Sequence, residues 1–275
     1  MRARFSTTQY RYPDEYLILA GTIVVVLLVI ALTAAATVCT SAIFVPLVVI
    51  LGYFTSRSRH QALLERAQRV TAQSLPELMK LIDENDTRLQ VEPVNVFIAS
   101  SNQLNAYTFG MDSPKAIVLY SALFKIMDRD EIQFILGHEM GHVKLGHTWL
   151  NTLVGGMAGI PSSVGAAAIM ELAFRWWNRA CEYSADRAGV LACGKPSKAI
   201  SALVKLQAGP AALTQAGLQA AMQHIETDDE DIMHNLEELL GTHPMVAKRV
   251  EQIRRFTSTS QYQTLQARMD QNLLG

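Results

Sequence analysis

The chain has 275 residues, with 24 basic and 25 acidic side chains and 49% hydrophobic content, a length suited to one catalytic domain plus membrane elements. The near balance of charge excludes a nucleic-acid-binding surface. Cys39, Cys181 and Cys193, with no C-x-x-C among them, fit a reducing compartment and exclude a disulfide framework.

From Leu17 to Phe54 the chain runs 38 residues without a charged side chain or a histidine. One helix crosses ~30 Å of hydrocarbon with about 20 residues, so this run predicts two short spans and a tight turn around Ala36 to Ser41. Arg2, Arg4 and Arg11 precede the run and Arg57, Arg59, Arg66 and Arg69 follow it, so the positive-inside rule puts both ends in the cytoplasm. A cleavable signal peptide is the competing reading, because Ala34-Ala35-Ala36 follows an apolar core. It is disfavoured, since the apolar run continues past those alanines. Residues 1–16 are thus a cytoplasmic segment and 17–55 a two-helix transmembrane anchor.

Residues 60 to 90 carry a helical pattern, with Pro76 beside Glu77 as a helix start, and link the anchor to a catalytic domain over 56–256. Strands are predicted at Val94 to Ala99, Leu104 to Phe109 and Ala116 to Tyr120. An edge strand containing Asn105, Ala106 and Tyr107 could bind an extended peptide by main-chain hydrogen bonds; the other reading is an ordinary hairpin strand.

The chemistry concentrates in His138-Glu-Met-Gly-His142. At 3.6 residues per turn the two histidines share a helix face and can reach one tetrahedral Zn²⁺ at roughly 2.0–2.1 Å. Glu139 lies beside them, where a carboxylate can take a proton from a metal-activated water and pass it to a leaving amine. Asp128 or Asp130 can cap this helix, and Ile132, Phe134, Ile135 and Leu136 give it a buried side. Gly137 and Gly141, poor helix formers, imply close approach by another element or a ligand. The bland alternative is two surface histidines on an amphipathic helix.

The third ligand sets the subtype. A metzincin would place glycine and histidine where Leu145 and Thr148 stand, and His147 comes one position early, so that subtype is rejected. Downstream, Glu182 and Asp186 lie one turn apart. Glu182 can complete a His₂Glu site with an open fourth position. Asp186 can accept the free N–H of a ligating histidine and fix its tautomer. One Zn²⁺ per chain follows.

Here the sequence resembles the HtpX-like membrane zinc peptidases, metallopeptidase family 48 among the gluzincins. The resemblance rests on His138-Glu-Met-Gly-His142, Glu182-Tyr-Ser-Ala-Asp186, Asn105-Ala-Tyr107 and Thr242-His-Pro244 with Arg249, across residues 70 to 255. It implies an integral-membrane zinc endopeptidase with Glu139 as general base. Many relatives carry a transmembrane pair after the zinc helix. Here Thr148 to Met170 is apolar over only 23 residues, and His142 and Glu182 must meet on one side of the membrane, so two full crossings do not fit. Gly155, Gly156, Gly159, Pro161 and Gly165 suggest a broken helical hairpin at the membrane surface or over the site.

The segment Glu226 to Asp231 is a solvated acidic loop without calcium-loop spacing. His243 sits at a helix start, with Thr242 as cap and Pro244 at the first helical position. With the support of the resemblance, it is also a candidate donor to the oxyanion that develops during hydrolysis. Arg249 suits an acidic partner such as Asp186. Residues 257–275 form a polar, helix-prone tail.

The expected fold is mainly α with a small β-sheet, an α+β zincin-like peptidase domain behind an N-terminal transmembrane hairpin. The expected function is zinc-dependent endopeptidase action on membrane or misfolded polypeptides, by a multi-pass protein touching membrane lipid, with its peptidase domain in the cytoplasm. A catalytically silent scaffold binding membrane proteins is the alternative, and the retained Glu139 argues against it. No G-x-M-E-N-like sequence supports an aminopeptidase. Substrate identity and oligomeric state are not legible.

Overall fold

Two apolar helices lead the chain into a helical body that carries one small sheet. The computed structural model describes residues 6–36, 40–155, 165–209 and 246–274, with isolated residues between 211 and 223. Helix α1 (Glu15–Ala36) is, among the described residues, the one helix long and apolar enough to cross a membrane, over Glu15–Ala35 with mean hydropathy 2.9. Its Leu17, Ile23, Val24, Leu27, Leu28 and Leu32 are exposed, the opposite of what water would select in a row. Helix α2 (Thr40–Leu64) packs along it and exposes Ile43, Leu47, Ile50, Leu51 and Phe54.

The second span of the expected hairpin therefore takes a different form. Its apolar part, Thr40 to Phe54, rises about 22 Å at ~1.5 Å per residue, short of a ~30 Å hydrocarbon core. The helix then continues through Arg57, Arg59 and His60. Both ends of the pair meet the same body: α1 starts against the helices described below, and the His60 ring stacks on Phe109, centroids 4.0 Å apart. The expected turn falls partly outside the described residues, at 37–39.

Residues 60 to 90 are not one helical linker. Thr71 and Ser74 exchange hydrogen bonds through their backbone N–H groups and hydroxyls (3.0 and 3.1 Å), making a turn before Pro76 can start a helix. The two-residue strand β1 (Gln68–Arg69) precedes that turn, and α3 (Pro76–Leu89) follows it. Then come β2 (Val94–Ala99), β3 (Ala106–Phe109) and β4 (Lys115–Tyr120), in spatial order β1-β2-β4-β3. β2 and β4 run parallel with Val96 opposite Ile117, while β1 and β3 are antiparallel to their neighbours. Ile117, Val118 and Leu119 of central β4 are fully buried, whereas β3 pairs on one side only among the described residues.

After a short turn, α4 (Leu123–Ile126), the central helix α5 (Arg129–Leu145) crosses the body. Asp128 caps it: its Oδ1 accepts from the N–H groups of Asp130 and Glu131 at 3.0 Å, and Glu131 Oε2 accepts from Asp128 N at 2.8 Å. Such a box contributes on the order of 1 kcal/mol and fixes where the helix begins. Gly146, at φ +79°, ends it in the left-handed conformation that glycine permits, and α6 (His147–Gly155) starts at once.

Helix α7 (Gly165–Cys193) is longer than the sequence suggests. The second arm of the apolar hairpin is continuous with the helix bearing Glu182 and Asp186, so only α6 and the first turns of α7 form the described arms. The tip, 156–164, lies outside the described residues. The α7 arm runs beside α1, with Thr22 Oγ1 donating to Ala173 O at 3.0 Å, while Trp149, Ile169 and Trp176 are exposed. Helices α8 (Pro196–Ala208), α9 (Val246–Thr257) and α10 (Ser260–Leu274) complete the body. The polar tail is a packed helix: Tyr262, Leu265 and Met269 are buried in α10, and Asp270 pairs with Arg88 at 2.8 Å.

Candidate metal centre

The site forms where α5 and α7 cross, and glycines decide how closely they cross. A Cβ placed on Gly137 would lie 2.4 Å from the Ala192 Cβ, and one on Gly141 2.6 Å from that of Ala188. Small residues on both helices let the backbones approach further than ordinary side chains would allow. That approach brings Glu182 within reach of the histidine pair one turn along α5.

The three side chains converge. His138 Nε2 and His142 Nε2 are 3.2 Å apart, Glu182 Oε2 is 3.5 Å from His138 Nε2, and Glu182 Oε1 is 3.3 Å from His142 Nε2. A tetrahedral ion with ligands at roughly 2.0–2.1 Å needs ligand atoms about 3.3 Å from one another. The donor set, two imidazole nitrogens and a carboxylate, therefore fits zinc in spacing and in chemistry. All three residues are buried yet retain 6 to 7% exposure, so the cluster is not sealed from solvent.

The surrounding groups fix the donors. Asp186 Oδ1 lies 3.0 Å from His138 Nδ1, and a carboxylate there accepts, so Nδ1 carries a proton and Nε2 is the nitrogen left for a metal. Arg249, on α9, grips Asp186 through two bonds, Nε to Oδ2 at 2.8 Å and an Nη to Oδ1 at 2.6 Å, and reaches Glu182 Oε2 at 3.2 Å. Burial acts to raise both carboxyls, but this guanidinium and the His138 ring, with His142 at Glu182, together outweigh it and hold Asp186 low and Glu182 well below the usual carboxylate range. Burial likewise acts against charge on His138, yet Asp186 and Glu182 push that ring up to about 10. A metal ion entering there displaces a proton.

On the far side, His142 Nδ1 meets His147 Nδ1 at 3.0 Å, and His147 Nε2 meets Glu15 Oε1 at 3.0 Å. Glu15 also pairs with Arg11 and accepts from the Ser184 hydroxyl, and Arg11 donates to Leu145 O at 2.8 Å. Burial pushes His147 down to about 4, so this ring is neutral.

Glu139 accepts from Thr108 Oγ1 at 2.6 Å, which ties the carboxylate to edge strand β3. Sequence reasoning singled out Asn105, Ala106 and Tyr107 on that strand and missed Thr108. Alternation was the available signal, since Ala106 and Thr108 lie on one face of the strand. Asn105 stands just before β3, its carbonyl accepting from Tyr120 N at 3.0 Å, while the Tyr107 ring lies near His60 and Tyr120. Also missed were Arg11 and Glu15, whose signal was a charged i,i+4 pair against an apolar span. Arg249 reaches Asp186 as expected. His243, with Thr242 and Pro244, lies outside the described residues.

Comparison with known proteins follows the same lines. The chain is 27% identical over 211 residues to the plastoglobule-localized metallopeptidase 48 of the Arabidopsis thaliana chloroplast, covering 71% of this chain and 61% of that protein. It is 26% identical over 215 residues to a protease HtpX homolog of Gemmatimonas aurantiaca, covering 67% of this chain and 77% of the relative. A protease HtpX homolog of Burkholderia lata matches at 24% over 232 residues, covering 71% and 79%. Among solved structures, S. mikatae Ste24p superposes with a TM-score of 0.44 at 17% identity, over 86% of this chain and 63% of that one. The description "Peptidase family M48" matches residues 69–257, well over half the chain, and the protein accordingly belongs to this family of metallopeptidases.

Proposed function

We propose that the protein is a membrane-anchored zinc endopeptidase in which His138, His142 and Glu182 hold one ion and Glu139 is the general base. The observation that carries this reading is the spacing between the two histidine Nε2 atoms and the two Glu182 carboxylate oxygens, 3.2 to 3.5 Å, beside a helix-borne glutamate. Bound zinc would polarise the scissile carbonyl and make a water acidic enough to attack it near neutral pH.

The chain's own residues supply the rest. Thr108 orients the Glu139 carboxylate, which takes the proton of the attacking water and delivers it to the departing amine. Edge strand β3 offers main-chain groups to an extended polypeptide, with Asn105, Ala106 and Tyr107 at its start. His243 is the proposed donor to the developing oxyanion, a role resting on its place in the Thr242-His-Pro244 motif. Asp186 and Arg249 hold the metal-binding face of His138 and the carboxylate of Glu182 in place.

The anchor reading rests on the lipid-compatible faces of α1 and α2 and on the return of both helices to the peptidase body. The arginines flanking the pair favour a cytoplasmic body. Trp149 and Trp176 are exposed, and aromatic side chains of this kind favour a membrane interface, which supports placing the arms of α6 and α7 at that level. Membrane or misfolded polypeptides are the substrates that such a placement would present.

Zinc analysis of the full chain purified in detergent tests the site. Wild type and Glu139→Gln should each carry one zinc, while His138→Ala, His142→Ala and Glu182→Ala should lose it. Near-stoichiometric zinc in Glu182→Ala would remove this residue from the ligand set.

A further inference from the structure

A second cluster of potential ligands lies behind the first. Glu15, His147 and Cys181 are all buried, and each has one ligand atom within 4.8 Å of the others. Two features argue against a second metal there. The Arg11 guanidinium pairs with Glu15 and stands 3.4 Å from His147 Nε2, so a fixed positive charge already occupies the centre of the cluster. Burial also pushes the Cys181 thiol up, away from the thiolate that a metal requires.

The hydrogen-bond geometry gives the cluster another role. Two groups meet His147 Nε2: Arg11, which only donates, at 3.4 Å, and Glu15 Oε1, which only accepts, at 3.0 Å; the shorter contact places a proton on Nε2. Two ring nitrogens 3.0 Å apart share one proton, and a His147 ring protonated at Nε2 meets His142 Nδ1–H through its Nδ1 lone pair. His142 then keeps a proton on Nδ1, which leaves Nε2, 3.3 Å from Glu182 Oε1, as the nitrogen that would bind the metal. We propose that His147 is a positioning residue for His142, with Glu15 fixing the tautomer of His147, so that the start of the membrane helix α1 sets the orientation of a metal-binding ring. The inference rests on the zinc site proposed above.

The two arms of the site are thus built differently. His138 is oriented by Asp186, which belongs to the helix that bears Glu182. His142 is oriented through His147 by Glu15, 132 residues away in sequence and on the anchor. Arg11 completes the link: it holds Glu15 and donates to Leu145 O near the end of α5, so segment 11–15 is pinned to the helix that carries both histidines. The Ser184 hydroxyl donates to Glu15 and accepts from Tyr12 N, pinning the same segment to α7. Metal binding and docking of α1 are therefore coupled.

Zinc affinity of the full chain in detergent, measured by competition with a chromophoric chelator, is the test, with melting temperatures taken with and without zinc. His147→Leu removes the acceptor and should bind zinc about tenfold to a hundredfold more weakly, with a smaller zinc-induced rise in melting temperature. His147→Gln keeps an oxygen that can accept from His142 Nδ1–H and should stay within about threefold of wild type. Glu15→Gln leaves His147 in place without its ionic partner and should weaken binding severalfold; it carries the test if His147→Leu does not fold. Wild-type affinity in His147→Leu or in Glu15→Gln would overturn the proposal. Equal weakening in His147→Leu and His147→Gln would also overturn it, leaving His147 a packing residue. Loss of a second zinc equivalent from His147→Leu, with the first held at full affinity, would replace it with a separate metal site. His142→Ala separates the levels: if it keeps zinc at wild-type affinity, the site assignment itself fails.

Discussion

At the scale of single residues, the site is a set of hydrogen bonds that leave two ring nitrogens and one carboxylate facing each other. Arg249 is central, because it is 8% exposed and pairs with two buried carboxylates at once. Removing one partner of such a group leaves an uncompensated buried charge and costs about 3–5 kcal/mol. Arg249→Leu should lower the unfolding free energy by about that amount in denaturant titrations, and zinc binding should fall with it. A change below about 1 kcal/mol would mean that water already reaches Asp186. Much of this level is legible in the sequence: one-turn spacing groups His138 with His142 and Glu182 with Asp186, and the motif order suggests Arg249 for Asp186. His147 and Glu15 are harder to place. Their pairing depends on how α1 sits against α5, and nothing local in either segment records that register.

At the scale of elements, the crossing of α5 and α7 determines whether the ligands meet. Gly141 faces Ala188 so closely that an added methyl has no room, and Ala188 sits on a stiff helix that cannot yield as a flexible side chain would. Alanine gains roughly 1 kcal/mol in helix propensity over glycine, against an overpacking cost of about 1–3 kcal/mol. Gly141→Ala should therefore lower the melting temperature and weaken zinc binding at least tenfold. The double change Gly141→Ala with Ala188→Gly should recover most of both. No recovery would show that Gly141 serves something other than this contact. The glycines signal close approach in the sequence, but not which element approaches. In the same way, the apolar stretch 148–170 divides between α6 and the start of a 29-residue helix, because its second arm shares an unbroken helical register with the segment carrying Glu182.

At the scale of the whole molecule, the membrane elements and the peptidase body share one polar network, which the composition could not reveal. The uncharged run predicts an anchor, but not that its second helix outlasts its apolar part or that its first helix begins inside the body. The topology is open to direct measurement: a reporter fused at Gly275 should behave as cytoplasmic, and one inserted near Thr40 as extracytoplasmic. A cytoplasmic signal at both positions would exclude a spanning α1. Hydrolysis by this protein should depend on Glu139 at an intact metal site. The most direct measurement is turnover of an unfolded polypeptide by zinc-loaded wild type and zinc-loaded Glu139→Gln, each verified to hold one zinc per chain. The expected result is a fall in kcat of a thousandfold or more with zinc content unchanged. Equal turnover by the two proteins would contradict it.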